Sequence, residues 1–133
     1  MNASAEWKQG MLFEGRSESG HAVRFDAAAG HAAGLSPMEA VLTALCGCTS
    51  VDVVSILQKK REPLEGLVVS AEAEQAAAPP RIFTHIHLSY RIRGKVSEKA
   101  AEDAVALSKN KYCSVSKMLE KSASISYSVE YER

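Results

Sequence analysis

A chain of 133 residues has enough material for one sizeable core, and folding at this length removes roughly two-thirds of the unfolded surface from water, so a single domain over residues 1–133 is expected. Sixteen Lys plus Arg balance sixteen Asp plus Glu, which leaves no cationic field to draw in nucleic acid or an anionic membrane. With 46% hydrophobic and 24% charged residues the composition excludes a disordered chain and fits a soluble globular protein.

Met1 to Lys8 holds no apolar signal core and Tyr131-Glu132-Arg133 no lipidation box, so the expected compartment is the cytoplasm. Trp7, Met11 and Phe13 alternate, and beyond the turn signal Ser17-Glu18-Ser19-Gly20 so do His21, Val23 and Phe25. The pattern predicts a two-stranded N-terminal hairpin. Ala27 to Ser36 lacks periodicity and leads into Pro37, a residue suited to a first helical turn because its missing N–H would be unpaired there.

Met38 to Lys60 reads as a helix, with Leu42, Leu45, Thr49, Val53 and Ile56 on one face and Val41, Ala44, Cys48, Val51 and Ser55 on the next. Ala40 to Leu57 is apolar on nearly every side. It is interrupted by Gly47, Asp52 and several hydroxyl and thiol side chains, and no second such segment follows, so a central helix buried in protein is expected rather than a membrane span. Lys59, Lys60 and Arg61 suit the negative end of a helix dipole and Pro63 blocks continuation, placing the end near Arg61.

Leu67 to Gln75 and Ile82 to Ile92 alternate on either side of the Ala78-Pro79-Pro80 breaker, a second hairpin whose polar face sets Glu72 and Glu74 near the His and Arg positions of the partner strand. Ser97 caps a helix to about Lys109, with Ala101, Ala104, Val105 and Ser108 inward. A short helix from Ser114 to Lys121 follows, then a final strand through Ile125, Tyr127, Val129 and Tyr131. The order of strands and helices is α+β.

Three cysteines without a secretory signal argue against a disulfide framework and leave catalytic, metal-binding or inert thiols. Cys46 and Cys48 point about 200° apart on a helix and cannot bond to each other. Cys113 lies at a helix start, where backbone N–H groups and the dipole are expected to lower its pKa. The competing reading for all three is a small buried hydrophobe. Asp52 shares the Cys48 face one turn on and reads as a structural hydrogen bond or ion pair. His85 and His87 share a strand face and read as solvated.

Ser36-Pro37-Met38-Glu39-Ala40-Val41-Leu42, Gly47-Cys48-Thr49, Val51-Asp52-Val53-Val54-Ser55-Ile56-Leu57 and Lys111-Tyr112-Cys113-Ser114-Val115-Ser116-Lys117-Met118-Leu119-Glu120-Lys121 together resemble the OsmC/Ohr family, closest to its YhfA-type branch. The resemblance covers nearly the whole chain. It implies an intertwined homodimer, with central helices wrapped by sheets and a site at the interface. The implied activity is that of a cytoplasmic thiol peroxidase reducing organic hydroperoxides. Carried over by position, Cys48, eleven residues after Pro37, is the peroxide-attacking thiol and Cys113 the resolving one, with an external dithiol or lipoyl-type reductant and no metal or organic cofactor. Cys46 then reads as packing.

The family sets a glutamate directly after the proline to hold an arginine over the thiolate. Here Met38 stands there and the acid moves to Glu39, which either supports the arginine or stabilises the helix N-terminus. Arg16 and Arg24 are both open as the arginine. The alternative function is a non-catalytic small-molecule-binding or redox-sensing dimer of the same fold.

Overall fold

The computed structural model describes all residues, Met1–Arg133, in two compact units, Met1–Leu42 and Thr43–Arg133. In the first, β1 (Ala3–Gln9), β2 (Leu12–Ser17) and β3 (Ala22–Asp26) form an antiparallel sheet in that order. The expected two-stranded hairpin is therefore three-stranded. The run from Trp7 to Phe13 is broken at Gly10, whose φ of 52° is left-handed, and the Trp7 Nε1–H donates to the Gly10 carbonyl at 2.8 Å. Trp7 and Phe13, expected on one strand, face each other across two.

The aperiodic stretch after β3 is organised by the buried carboxylate of Asp26, which accepts the N–H groups of Ala28 at 2.9 Å and Ala33 at 3.0 Å. Those two bonds hold its pKa below the usual carboxylate value. His31, with a φ of 45°, joins its Nδ1 to the Asp26 carbonyl at 2.8 Å.

Helix α1 (Pro37–Lys59) starts where Pro37 predicts and ends two residues before the expected Arg61. Its buried residues are Leu45, Thr49, Val53 and Leu57, a single stripe of period four. In the single chain the burial expected of this helix reaches only that stripe: Val51, on the far side from it, is 68% exposed. By length and apolar composition α1 would be long enough to cross a membrane.

In the second unit β4 (Gly66–Gln75) pairs antiparallel with β5 (Phe83–Arg93), and β5 pairs parallel with β6 (Ser124–Glu132). A parallel pair needs a long crossover. Here α2 (Glu98–Leu107), a π-helical turn (Ser108–Tyr112) and α3 (Ser114–Leu119) supply it. Glu72 stands opposite His87 and Glu74 opposite His85, as the alternation predicts. A register shift between Glu74 and Gln75 buries Phe83 where alternation alone favours Ile82 and Thr84.

Ile86, Leu88, Tyr90 and Ile92 of β5 are buried, as are Ala101, Ala104 and Val105 of α2 and the stripe of α1, and these side chains form the core of this unit. Ser97 caps α2 as expected, its hydroxyl accepting the Ala100 N–H at 3.2 Å. The α-helix stops at Leu107, two residues short of the expected Lys109, because the chain widens there into the π turn.

Candidate functional site

Two of the three thiols are neighbours. Cys48 lies half-buried on α1 and Cys113 is fully buried at the head of α3, near enough for Cys48 to raise the Cys113 pKa. All three cysteines are free thiols. The segment that carries Cys113 is shaped by the π turn, whose wider i+5 hydrogen bond runs from the Cys113 N–H to the Ser108 carbonyl at 2.8 Å. Cys113 then takes the N-cap position of α3 with extended backbone (φ −74°, ψ 103°), and its Sγ accepts the Ser116 N–H at 3.3 Å. Sulfur thus stands in for the oxygen of the usual Ser, Thr or Asp cap.

The expectation that a helix start lowers the Cys113 pKa is overturned. Burial pushes the thiol up to about 12, the Ser116 N–H opposes this only in part, and the neighbouring Cys48 and the charge of Asp52 push the same way as burial. A six-residue helix offers a small dipole, and desolvation at a fully buried atom outweighs it. Cys46, on a different face of α1, is also raised by burial. Ser116 is buried too, and its Oγ has no hydrogen-bond partner among the protein atoms.

Beside the thiols runs a chain of buried hydroxyls. Tyr90 Oη lies 2.7 Å from Thr49 Oγ1, Thr49 Oγ1 lies 2.8 Å from Ser108 Oγ, and the Ser108 hydroxyl donates to Asp52 Oδ2 at 2.8 Å. Burial raises the Tyr90 pKa to about 12, so it remains a phenol. Asp52 thereby has the structural hydrogen bond expected of it. The polar contacts of Thr49, Ser108 and Tyr90 escape a reading of periodicity. Their one sequence signal is hydroxyls at inward positions of otherwise apolar stripes.

The remaining predicted residues belong to Met1–Leu42. Glu39 closes a capping box at the head of α1: its Oε1 accepts the Ser36 N–H at 2.8 Å while the Ser36 Oγ accepts the Glu39 N–H at 3.1 Å. The helix-stabilising role weighed for it is therefore present. Arg16 pairs with Glu14 at 2.7 Å. Arg24, on β3, is exposed and stands opposite Glu14 in the register. His85 joins Ser124, and His87 joins Ser126 and Ser128, across the β5–β6 pair.

The OsmC-like protein family model matches residues 30–128, a span that includes both thiol-bearing segments. Protein YhfA of Escherichia coli (strain K12) is 44% identical over 131 residues, covering 98% of this chain and 97% of its own. A crystal structure of a protein from Aquifex aeolicus VF5 superposes with a TM-score of 0.86 at 33% identity, covering 99% of this chain and 97% of that one. The organic hydroperoxide resistance protein OsmC from Legionella pneumophila shares the fold, with a TM-score of 0.73 at 19% identity over 97% of this chain and 95% of that one. Matched along almost its whole length, the chain belongs to the OsmC/Ohr family, on the branch that holds YhfA.

Proposed function

We propose that the protein is a cytoplasmic, homodimeric thiol peroxidase that reduces organic hydroperoxides. The observation that carries this reading is the neighbourhood of a half-buried Cys48 and a fully buried Cys113, which sets a partly exposed thiol beside one shielded from solvent. The Cys48 thiolate attacks the outer oxygen of the hydroperoxide. The O–O bond breaks, the alkoxide leaves and takes up a proton as the alcohol, and Cys48 becomes a sulfenic acid. Cys113 then attacks that sulfur. Its own proton and the departing hydroxide leave as water, a disulfide forms, and an external dithiol of the lipoyl type returns both thiols by exchange. Burial of Cys113 keeps it protonated until the sulfenic acid is beside it.

The name of the Legionella protein supports the substrate class, and free thiols fit a reducing compartment. The homodimer rests on the apolar surface α1 leaves uncovered in one chain, since an exposed apolar helix face of this kind calls for a partner. Glu39 and one of Arg16 and Arg24 are assigned to the support of Cys48. Light scattering at micromolar concentration is expected to give twice the chain mass, and a stable monomer refutes the dimer.

The chemical test mixes reduced protein with one equivalent of cumene hydroperoxide. The expected result is loss of two thiols per chain, a Cys48–Cys113 disulfide in peptide mass spectra, one equivalent of alcohol, and turnover once dithiothreitol or a lipoyl donor is added. Thiols left free at both positions would sink the reading. A second reading, a redox-sensing dimer without turnover, is favoured by Met38 in the place of the family's glutamate and by the use of Glu39 Oε1 in the helix cap. That reading expects a disulfide that forms once and is not recycled at a useful rate.

A further inference from the structure

Ser108 ties the segment carrying Cys113 to the helix carrying Cys48 through side-chain hydrogen bonds to Thr49 and Asp52. The direction of each bond follows from proton counting. The single hydroxyl proton of Ser108 is donated to Asp52 Oδ2 at 2.8 Å. Ser108 Oγ must then accept from Thr49, and Thr49, its proton spent, accepts from Tyr90. The relay has one orientation and every hydroxyl in it is satisfied as a donor, which is the condition under which a buried polar network fixes geometry.

Two of its members follow Cys48 closely on α1: Thr49 is the next residue and Asp52 lies one helical turn beyond. At the same time the Ser108 carbonyl holds the Cys113 N–H at 2.8 Å, and the Ser108 N–H closes α2 onto Ala104 and Val105. Side chain and main chain of one fully buried serine thus connect both thiol-bearing segments.

We propose that Thr49, Ser108 and Asp52 form a clasp that sets the separation and angle of the Cys48 and Cys113 thiols, acting as positioning residues for disulfide closure. This deepens the thiol-pair reading above and rests on Cys48 and Cys113 being the pair that closes. The geometric demand is real: a disulfide tolerates only a narrow range of Cβ separations and one dihedral near a right angle, so a displaced segment pays in closure before it pays in fold.

The test measures the effective concentration of the Cys48–Cys113 pair by equilibrating the full-length protein in glutathione redox buffers, with Cys46→Ser in every variant to keep the exchange to one pair. No peroxide enters, so the result is independent of peroxidase activity. Thr49→Val keeps shape and removes the hydroxyl, Ser108→Ala removes the centre of the clasp, and Thr49→Ser restores the hydroxyl. Ile92→Val serves as a core control that removes buried apolar volume and no hydrogen bond of the relay.

The expected result is a fall of about tenfold or more in effective concentration for Thr49→Val and Ser108→Ala, recovery to within about threefold in Thr49→Ser, and no change in the control. If Ser108→Ala does not fold, Thr49→Val with its rescue by Thr49→Ser decides alone. Wild-type effective concentrations in folded clasp variants, with only stability reduced as in the control, overturn the proposal. A wild type that closes the disulfide in glutathione but ignores hydroperoxide refutes the peroxidase reading and leaves the clasp standing.

Discussion

Cys48 and Cys113 are neighbours in unlike environments: the first is half-buried on α1, the second has no exposed surface and a pKa pushed up to about 12 by burial, with Cys48 pushing the same way. In the proposed reaction the asymmetry suits Cys48 to the first step and Cys113 to the second. A group that meets an outside reagent needs exposure, and a group that meets only its neighbour does not.

Alkylation at neutral pH is accordingly expected to modify Cys48 first and Cys113 slowly. Because the thiolate is the reacting form, the Cys113 rate should climb about tenfold per pH unit from about pH 8 to about pH 11 without levelling. Mass spectrometry of peptides after timed iodoacetamide quenching reads both rates. Faster labelling of Cys113 than of Cys48 at pH 7 would contradict the assignment.

The same burial makes stability depend on alkaline pH. Cys113 and Tyr90 are both neutral when protonated, and both have folded pKa values raised to about 12, above their ordinary ones. The folded state therefore holds protons that the unfolded state releases first. The stabilisation is complete below the unfolded pKa values, near 8.5 for the thiol and 10 for the phenol, and is lost as pH rises toward the folded ones. Urea midpoints should fall between about pH 8 and about pH 11, and the fall should be shallower in Cys113→Ala. A midpoint that does not change over this range would show that neither group is as desolvated as the fold implies.

Helix boundaries and core faces were readable in the chain because periodicity reports burial. Pro37 marks the start of α1, Ser97 caps α2, and the inward set Ala101, Ala104, Val105 and Ser108 is buried as expected. What alternation does not encode is where one extended run becomes two. Gln9-Gly10-Met11 turns without interrupting the spacing of Trp7, Met11 and Phe13, so β1 and β2 read as one strand. The register shift at Glu74 hides Phe83 for the same reason: an extra residue flips the faces. At the candidate site the two cysteines were legible from their motifs. The Cys113 pKa was not, since helix position is visible in a sequence and desolvation is a property of the packed neighbours. Nor was the clasp, whose Ser108 is 59 residues from Thr49.

Gly94 should tolerate no side chain. Its φ of +115° lies in a region that L-residues rarely adopt, and a Cβ there would sit 2.3 Å from the Pro63 carbonyl oxygen, a backbone atom that cannot swing away. Gly94 also donates its N–H to Glu132 at 2.8 Å, so displacement would loosen the end of β6. Gly94→Ala is expected to lower stability by about 2 kcal/mol or more in urea unfolding, from backbone strain and the clash together. A loss under about 0.5 kcal/mol, typical of a neutral surface change, would refute this.

The displaced acid decides between the two functional readings, and the capping box makes its test clean. Glu39→Gln keeps an amide oxygen able to accept the Ser36 N–H, so the box persists, and the lost charge at the helix N-terminus costs under about 1 kcal/mol. Ser36→Ala, by contrast, removes the hydroxyl that caps Glu39 N–H and should cost about 1 kcal/mol with little effect on the thiol. If Glu39 holds an arginine for Cys48, a carboxylate–guanidinium pair fixes the arginine and its charge favours the thiolate. Arg16, already engaged by Glu14 at 2.7 Å, and the exposed Arg24 are compared by single alanine substitutions. The measurement is the second-order rate of Cys48 oxidation by cumene hydroperoxide in wild type, Glu39→Gln, Ser36→Ala, Arg16→Ala and Arg24→Ala. A peroxidase should lose about tenfold, equivalent to about 1.4 kcal/mol of barrier, in Glu39→Gln and in one arginine variant, while Ser36→Ala keeps its rate. Equal rates in all five proteins would remove the clamp from the mechanism, and uniformly slow rates typical of an unactivated thiol would favour the sensor.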